Sequence, residues 1–184
     1  MTKEYVIGVT GASGVIYARR ILEVLCEKAT VHIVISDVAR QIAEIERVDL
    51  VGFDAIYAEN SDLAADIASG SFRYDGMAIA PCSMKTLAAV SNGFAENLIT
   101  RAADVCLKER RRCILLLREM PLSRIHLKNM LAADEAGATV MVASPPFYQN
   151  PETIDDLVDM VAARVLDHLG VEHRLGVRWS GYDA

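Results

Sequence analysis

A run of five apolar residues, CILLL at positions 113–117, lies between a basic segment and a charged one. A short apolar run without polar alternation is typical of a strand that is buried on both faces of a parallel sheet. Pro121 follows closely and ends the strand, because proline has no N–H to donate to a neighbouring strand. The sequence therefore predicts a buried parallel strand, and with it an α/β fold.

Arg118 and Glu119 directly follow this strand. In an open parallel sheet, ligands bind in the crevice outside the carboxyl ends of the strands. Lys108 and the arginines at 110–112 lie just upstream, so the segment fits an anion-binding site with an acid or base beside it. A solvated Arg–Glu pair at the end of an ordinary strand is the alternative, and spacing alone does not choose between the two.

Two other predicted strands end in turns that are rich in small or hydroxyl-bearing residues. Residues 4–10 lead into GASG at 11–14 and a helix, where Ser13 adds a hydroxyl at the helix start, and residues 76–80 lead into SMKT at 83–86 and a second helix. Each turn would present N–H groups and a helix dipole to a phosphate. GASG is not a full dinucleotide fingerprint, so the motif alone is only moderately specific, and a plain helix cap is the alternative explanation. Two such turns in one sheet can converge on one ligand, which favours a phosphate-bearing ligand.

Strands and helices alternate along the rest of the chain. Further strands are predicted at residues 30–35 and 138–143, and residues 54–70 form a polar connection with a short strand or helical turn. This alternation, over a length that suits one domain, predicts a doubly wound, Rossmann-like or flavodoxin-like parallel sheet in a single domain of residues 1–184.

Several polar side chains have ordinary structural explanations on pattern alone. His32 alternates with apolar residues inside a strand and is expected to be a hydrogen-bonded core or interface histidine. Glu46, near the end of the second helix, is by default a solvated surface charge. Tyr148, in a proline-rich loop, offers a hydrogen-bonding phenol, although packing alone explains it, and Trp179 in the C-terminal tail is expected to pack on the core.

The candidate cations lie on predicted helices. Arg101 and Lys108 are seven residues apart, so they lie two turns apart on one helical face. A solvated charged face is the usual explanation, but the same face would suit a phosphate dianion. Arg164 lies in the second half of the last helix, which is predicted to start at Thr153 with a capping box that has Asp156 in its third position.

Composition argues against several classes of function. The formal net charge of −6 disfavours non-specific binding to nucleic acids, which needs a basic face. No apolar run is long enough to span a membrane, and the N-terminal sequence lacks the shape of a signal peptide. The four cysteines lie inside apolar segments without the spacing of metal ligands, so we expect reduced core cysteines in a cytosolic (cytoplasmic) protein and no metal site.

Taken together, the motifs resemble those of the flavin prenyltransferase family, the UbiX-type proteins formerly called aromatic acid decarboxylases. The resemblance covers nearly the whole chain, and the joint occurrence of SMKT, LKERR, REMPL and FYQNP is highly specific. It implies a flavoprotein that transfers a dimethylallyl group, without a metal, from dimethylallyl phosphate to N5 and C6 of reduced FMN. It also implies a homododecamer with sites shared between subunits, and a partner decarboxylase that uses the prenylated FMN.

The resemblance further implies roles for individual residues. Glu119 corresponds to the acid/base carboxylate, with Ser13 and Glu46 as supporting polar groups. Trp179 corresponds to a tail aromatic that closes over the dimethylallyl chain. The residues implied to hold the prenyl phosphate are Arg101, Lys108, Tyr148 and Arg164, with Lys108 also counted among the catalytic groups. The residues implied to bind FMN are Gly11, Ala12, Ser13, Ser36, Ser83, Met84, Lys85, Thr86 and Arg118.

Two other functions are compatible with the same fold. One is a flavin-dependent decarboxylase, as the older family name suggests. The related cysteine decarboxylases use a histidine ahead of the third strand, and residues 54–70 contain none. The other is a carrier that binds FMN and hands it on unchanged. A carrier would need neither the cations at positions 101, 108 and 164 nor Glu119, so the sequence favours the transferase.

Overall fold

The computed structural model describes residues 2–176. The strands are β1 (Glu4–Val9), β2 (Thr30–Ile35), β3 (Ile56–Glu59), β4 (Gly76–Cys82), β5 (Arg112–Leu117) and β6 (Thr139–Val142). The helices are α1 (Val15–Leu25), α2 (Asp37–Glu46), α3 (Met84–Ser91), α4 (Leu98–Lys108), α5 (Arg124–Glu135) and α6 (Ile154–Leu169), with a 3-10 turn, Asp66–Ala68, before β4. Within the described range, no helix combines the length and apolarity needed to cross a membrane.

The strands of the described sheet all run parallel, in the order β3-β2-β1-β4-β5-β6. From β1 to β3, each successive strand lies closer to one edge of the sheet. The chain then returns to the middle, and from β4 to β6 each successive strand lies closer to the other edge. β1 and β4 are therefore neighbours, and the connections that leave their carboxyl ends diverge. A crevice of this kind, at the point where the strand order reverses, is the usual place for a ligand in doubly wound sheets. The predicted fold class is confirmed.

The sheet is covered on both faces, as β5 illustrates. Ile114 and Leu116 belong to the apolar layer built with α1 and α6, whereas Cys113, Leu115 and Leu117 belong to the layer built with α3 and α4. All five side chains are at most 1% exposed. Consecutive side chains of a strand point to opposite faces, so a run without polar residues is required where both faces are covered.

Two local predictions are also confirmed. Thr153 Oγ1 accepts a hydrogen bond from Asp156 N at 3.1 Å, and Asp156 Oδ2 accepts one from Thr153 N at 2.9 Å, which is the predicted capping box of α6. His32 is 5% exposed, and its Nε2 lies 2.9 Å from Glu4 Oε1, so it is a hydrogen-bonded core histidine.

The cysteines are free thiols within the hydrophobic layers. Cys82, Cys106 and Cys113 are buried, and Cys26 is partly buried. Burial raises the pKa of the Cys82 thiol above its ordinary value, so this residue stays protonated at neutral pH. Cys82 is therefore a core residue and not a nucleophile, although it immediately precedes the SMKT turn.

Candidate active site

A buried threonine joins β1 to β4 at the point where the strand order reverses. Thr10 Oγ1 donates a hydrogen bond to the carbonyl oxygen of Pro81 at 2.9 Å and accepts one from Ser83 N at 2.8 Å. Thr10 N also donates to the Pro81 carbonyl at 3.2 Å, and Thr10 is only 2% exposed. The bonds fix the turn after β4 against the end of β1, so the GASG and SMKT turns lie side by side.

Two helices begin beside this bridge, each with a serine at its N-cap. Ser83 Oγ accepts a hydrogen bond from Thr86 N at 3.3 Å at the start of α3, and Ser36 Oγ accepts one from Ala39 N at 3.2 Å at the start of α2. Ser36 N donates to the Val9 carbonyl at 3.0 Å, which holds the start of α2 against the end of β1. Both helix dipoles therefore favour an anion at this edge of the sheet.

The turns line a cleft of about 350 Å³. Ligand pockets in proteins commonly measure roughly 300–1,000 Å³. A β-carbon at Gly11 would lie 2.6 Å from Val38 Cγ1, so only glycine leaves the space at this point of the cleft intact. Among the residues that the sequence predicts for FMN binding or catalysis, those that line the cleft are Gly11, Ser36, Ser83, Met84, Lys85, Thr86 and Glu119.

Glu46 lies on the other side of the GASG turn. Its carboxylate accepts hydrogen bonds from Gly14 N at 2.8 Å and from Val15 N at 3.0 Å, so it caps the start of α1. The expectation of a solvated surface charge is wrong, because the carboxylate is bound by two backbone N–H groups. Ser13 does not cap α1 either: Gly14 is the N-cap residue, with φ at 97°, and Ser13 is exposed. An anion of the protein itself thus occupies the start of α1, whereas the starts of α2 and α3 carry neutral serine caps.

Arg118 and Glu119, the two residues after β5, point to different parts of this edge. Arg118 Nε donates to the Ser13 carbonyl at 3.2 Å, while the Glu119 side chain lines the cleft and its Oε1 accepts a hydrogen bond from Met120 N at 3.0 Å. Burial raises the pKa of the nearby Tyr17 phenol, and the positive charge of Arg118 acts in the opposite direction. The pair is therefore bound into the site edge and is not a simple solvated Arg–Glu pair.

Two of the predicted phosphate ligands lie together on α4. Arg101 Nε donates to the Ala68 carbonyl at 3.1 Å and Arg101 Nη1 to Asp104 Oδ2 at 2.8 Å. Lys108 forms an ion pair with Glu109 and lies close to Gly70. Both cations therefore flank the segment 68–70. Thr100, near the start of α4, lines the cleft. Lys108 is eight residues further along the helix, and at a rise of 1.5 Å per residue it lies about 12 Å from Thr100, near the amino end of β5.

The other two predicted phosphate ligands share a second cavity. Tyr148 and Arg164 line a space of about 360 Å³ between the loop after β6 and α6. Arg164 Nη1 donates to Asp167 Oδ2 at 2.8 Å, and the Arg164 side chain is 60% exposed.

The structure thus divides the predicted site into three parts. The cleft, the GASG turn and Arg118 form one continuous edge, which also contains Ala12. The pair Arg101 and Lys108 packs with α4 on one face of the sheet, and the pair Tyr148 and Arg164 lies with α6 on the other. Trp179 lies outside the described residues. A single chain does not bring the four phosphate ligands together within the part that the structure describes.

A protein-family model described as Flavoprotein matches residues 1–166. The flavin prenyltransferase UbiX of Methanocaldococcus jannaschii is 45% identical over 178 residues, which cover 95% of this chain and 97% of that protein. The chain belongs to the flavin prenyltransferase family.

Solved structures agree with this family membership. A crystal structure of AnUbiX in complex with FMN and dimethylallyl pyrophosphate matches with a TM-score of 0.95 and 40% identity, covering 100% of both chains. A dodecameric FMN-dependent UbiX-like decarboxylase from Escherichia coli O157:H7 matches with a TM-score of 0.92 and 45% identity, covering 97% of this chain and 100% of that one. The predicted enzyme class, a prenyltransferase, is confirmed.

Two residues that shape the site, Thr10 and Asn60, are not predicted by the sequence motifs. The sequence predicts Thr10 only as the last residue of a strand, and no local pattern signals its hydroxyl contacts, because Pro81 and Ser83 lie 71 and 73 residues away. Asn60 follows the edge strand β3 and binds the start of α4, with its carbonyl accepting from Leu98 N at 2.8 Å and its Oδ1 from Ile99 N at 3.2 Å. Nothing local to Asn60 predicts this contact, because its partners are distant in sequence.

Replacing Thr10 with valine tests the bridge between β1 and β4. Valine keeps the shape of the side chain but removes the acceptor for Ser83 N, so a buried donor loses its partner. We expect the free energy of unfolding to fall by about 2 kcal/mol, measured by urea denaturation. Thr139→Val, on the half-buried edge strand β6, is the control and should change stability little. Equal effects of the two variants would contradict the bridge.

Replacing Glu46 with glutamine tests the cap of α1. The variant keeps one oxygen acceptor but loses the negative charge at the positive end of the helix dipole. We expect a loss of about 1 kcal/mol in the free energy of unfolding. Glu44→Gln, at an exposed position of α2, the helix that carries Glu46, should have little effect. A Glu46→Gln variant as stable as the Glu44→Gln control would show that the carboxylate is not a cap.

Proposed function

We propose that this enzyme transfers a dimethylallyl group from dimethylallyl phosphate to N5 and C6 of reduced FMN, without a metal. The prenylated FMN would then serve a partner decarboxylase. The observation that carries the proposal is the cleft between β1 and β4, in which the family's cofactor turns and a carboxylate meet. The 40% identical AnUbiX, whose structure contains FMN and dimethylallyl pyrophosphate, supports this choice of ligands.

The residues of the cleft fit a flavin mononucleotide. Its phosphate needs N–H and hydroxyl donors, which the N-termini of α2 and α3 offer through Ser36, Ser83 and Thr86. Gly11 admits a flat group close to the backbone, since a β-carbon there has no room beside Val38. Because Glu46 already holds the start of α1, we assign the phosphate to the serine-capped helices.

The prenyl ester requires cations that one chain keeps apart. Arg101 and Lys108 lie with α4, and Tyr148 and Arg164 lie with α6 on the other face of the sheet. We propose that neighbouring subunits of a homo-oligomer bring one pair from each to a shared site. The UbiX-like protein from Escherichia coli, 45% identical, is described as dodecameric, which supports an assembly of this kind.

The proposed chemistry needs a stabilised leaving group. Breaking the carbon–oxygen bond of an allyl phosphate produces an allyl cation and inorganic phosphate. Arginine, lysine and tyrosine side chains would donate charge-assisted hydrogen bonds to the departing phosphate, which replaces the role that a metal plays elsewhere. Reduced FMN, when bound, supplies the nucleophilic N5 and C6 atoms.

Glu119 is the proposed acid and base, because its side chain lines the cleft next to the turns. As a carboxylic acid it would protonate the leaving phosphate, and the carboxylate would regain a proton that N5 releases when the first bond forms. It would then protonate the double bond that remains in the transferred group, which allows the second bond to form, and accept the proton that C6 releases. Ser13 and Glu46 would support the turn on the flavin side. Trp179, by family resemblance, would cover the dimethylallyl chain.

The activity can be tested by mass spectrometry of the flavin. Purified protein, incubated without oxygen with reduced FMN and dimethylallyl phosphate and with no added metal, should yield a flavin that is heavier by one prenyl unit. Glu119→Gln should slow this conversion by about 10²-fold or more while FMN binding stays nearly unchanged. A flavin of unchanged mass would contradict the transferase and favour a carrier, and loss of carbon dioxide from an added acid would favour a decarboxylase.

The shared site can be tested by complementation between subunits. Lys108→Ala and Arg164→Ala should each abolish most of the activity when expressed alone. Co-expressed with two different affinity tags and purified as a mixed assembly, they should recover activity. If one subunit supplies Lys108 and another supplies Arg164, roughly a quarter of the sites regain both cations by random assembly. Activity no higher than that of the separate variants would contradict a shared site.

A further inference from the structure

Arg164 is not a free surface cation, because it is tied to a carboxylate on its own helix. Arg164 and Asp167 are one turn apart on α6, and Arg164 Nη1 donates to Asp167 Oδ2 at 2.8 Å. The Asp167 side chain is 21% exposed, far less than the 60% of Arg164. The guanidinium has several N–H donors, so this bond leaves other donors for a ligand in the cavity that Arg164 lines.

Asp167 is in turn held by a buried histidine. His173 Nε2 lies 3.1 Å from Asp167 Oδ1, and the His173 side chain is 2% exposed. Leu175 N donates to His173 Nδ1 at 3.2 Å. A backbone N–H can only donate, so Nδ1 must be the acceptor and the proton of the neutral imidazole lies on Nε2, directed at the carboxylate.

The hydrogen bonds form one connected series from the backbone to the guanidinium. Leu175 N orients His173, His173 orients Asp167, and Asp167 orients Arg164. Asp167, His173 and Leu175 line the same cavity as Arg164, so the series runs along the wall of the cavity. No residue of the series other than Arg164 was singled out by the sequence motifs.

We propose that Asp167 and His173 are positioning residues for Arg164, which hold its guanidinium in the orientation that binds the phosphate of the prenyl ester. The inference rests on the proposed function of Arg164. A free arginine side chain samples many rotamers, and a ligand that orders it loses binding free energy. The carboxylate and the histidine order it before the ester arrives. The segment that follows α6 is thereby coupled to ester binding.

Asp167 could affect ester binding in two ways, by repelling the phosphate or by orienting Arg164, and the two effects have opposite signs. A carboxylate near a bound phosphate repels it, so removing the charge of Asp167 should tighten ester binding if repulsion were its main effect. If Asp167 positions Arg164, removing its charge should weaken ester binding. The sign of the change in KM for dimethylallyl phosphate therefore decides between the two.

The experiment compares Asp167→Asn with Asp159→Asn in the complete assembled protein. Asp159 lies on the same helix and also pairs with an arginine, Arg20 of α1, but it does not line the cavity of Arg164. We expect Asp167→Asn to raise KM for dimethylallyl phosphate about tenfold, which is the lower end of the loss seen when a residue that orients a metal-binding side chain is removed. The FMN dissociation constant should change little. Asp159→Asn should lower thermal stability and leave KM unchanged.

A double-mutant cycle separates this inference from the proposed function. If Asp167 acts through Arg164, Asp167→Asn should have no further effect on KM in an Arg164→Ala background. An Arg164→Ala variant with unchanged KM and unchanged kcat would overturn the role of Arg164 itself. A raised KM for Arg164→Ala with an unchanged or lowered KM for Asp167→Asn would overturn only the positioning role.

The histidine is tested by a pair of substitutions. His173→Ala should raise KM for the ester, and His173→Gln, whose side-chain amide can donate to Asp167, should restore part of the loss. Equal KM values for the two variants, with equal losses of thermal stability, would mean that His173 only packs and would overturn its positioning role.

Discussion

The hydroxyl of Thr10 is the contact on which the rest of the site depends. It lies where the strand order reverses, and it bonds both the Pro81 carbonyl and Ser83 N. β1 and β4 are separated by more than sixty residues of chain, so their turns meet only because the sheet makes these strands neighbours. The threonine holds the two turns against each other, and the serine-capped starts of α2 and α3 then face one cleft.

At the same edge of the sheet, the N–H groups at the start of α1 bind a carboxylate of the protein itself, whereas the starts of α2 and α3 do not. Glu46 supplies the anion for α1, whereas Ser36 and Ser83 cap α2 and α3 with neutral hydroxyls. A charged cap competes with an external phosphate, and a neutral cap does not. The choice of capping residue therefore directs the proposed phosphate to particular helices.

Periodicity and local chemistry were enough to predict the fold, but not the arrangement of the phosphate ligands. The apolar strand at 113–117 and the capping box at Thr153 depend on residues that are close in sequence, so both can be predicted from the sequence. The bonds of Glu46 to Gly14, and of His173 to Asp167, depend on how helices and loops pack, and no local pattern encodes them. The separation of Arg101 from Arg164 on opposite faces of the sheet likewise follows from topology, and in the proposed assembly neighbouring subunits bring them together.

In the proposed arrangement, FMN and the prenyl ester lie side by side at the carboxyl edge of β1 and β4, with cations supplied by more than one subunit. The most direct measurement is a structure of the assembled protein with FMN and dimethylallyl phosphate bound. If this arrangement is right, Arg101 and Lys108 of one subunit, and Tyr148 and Arg164 of another, lie within hydrogen-bonding distance of the ester phosphate. Cations that stay on separate faces, away from the ester even in the assembly, would contradict it.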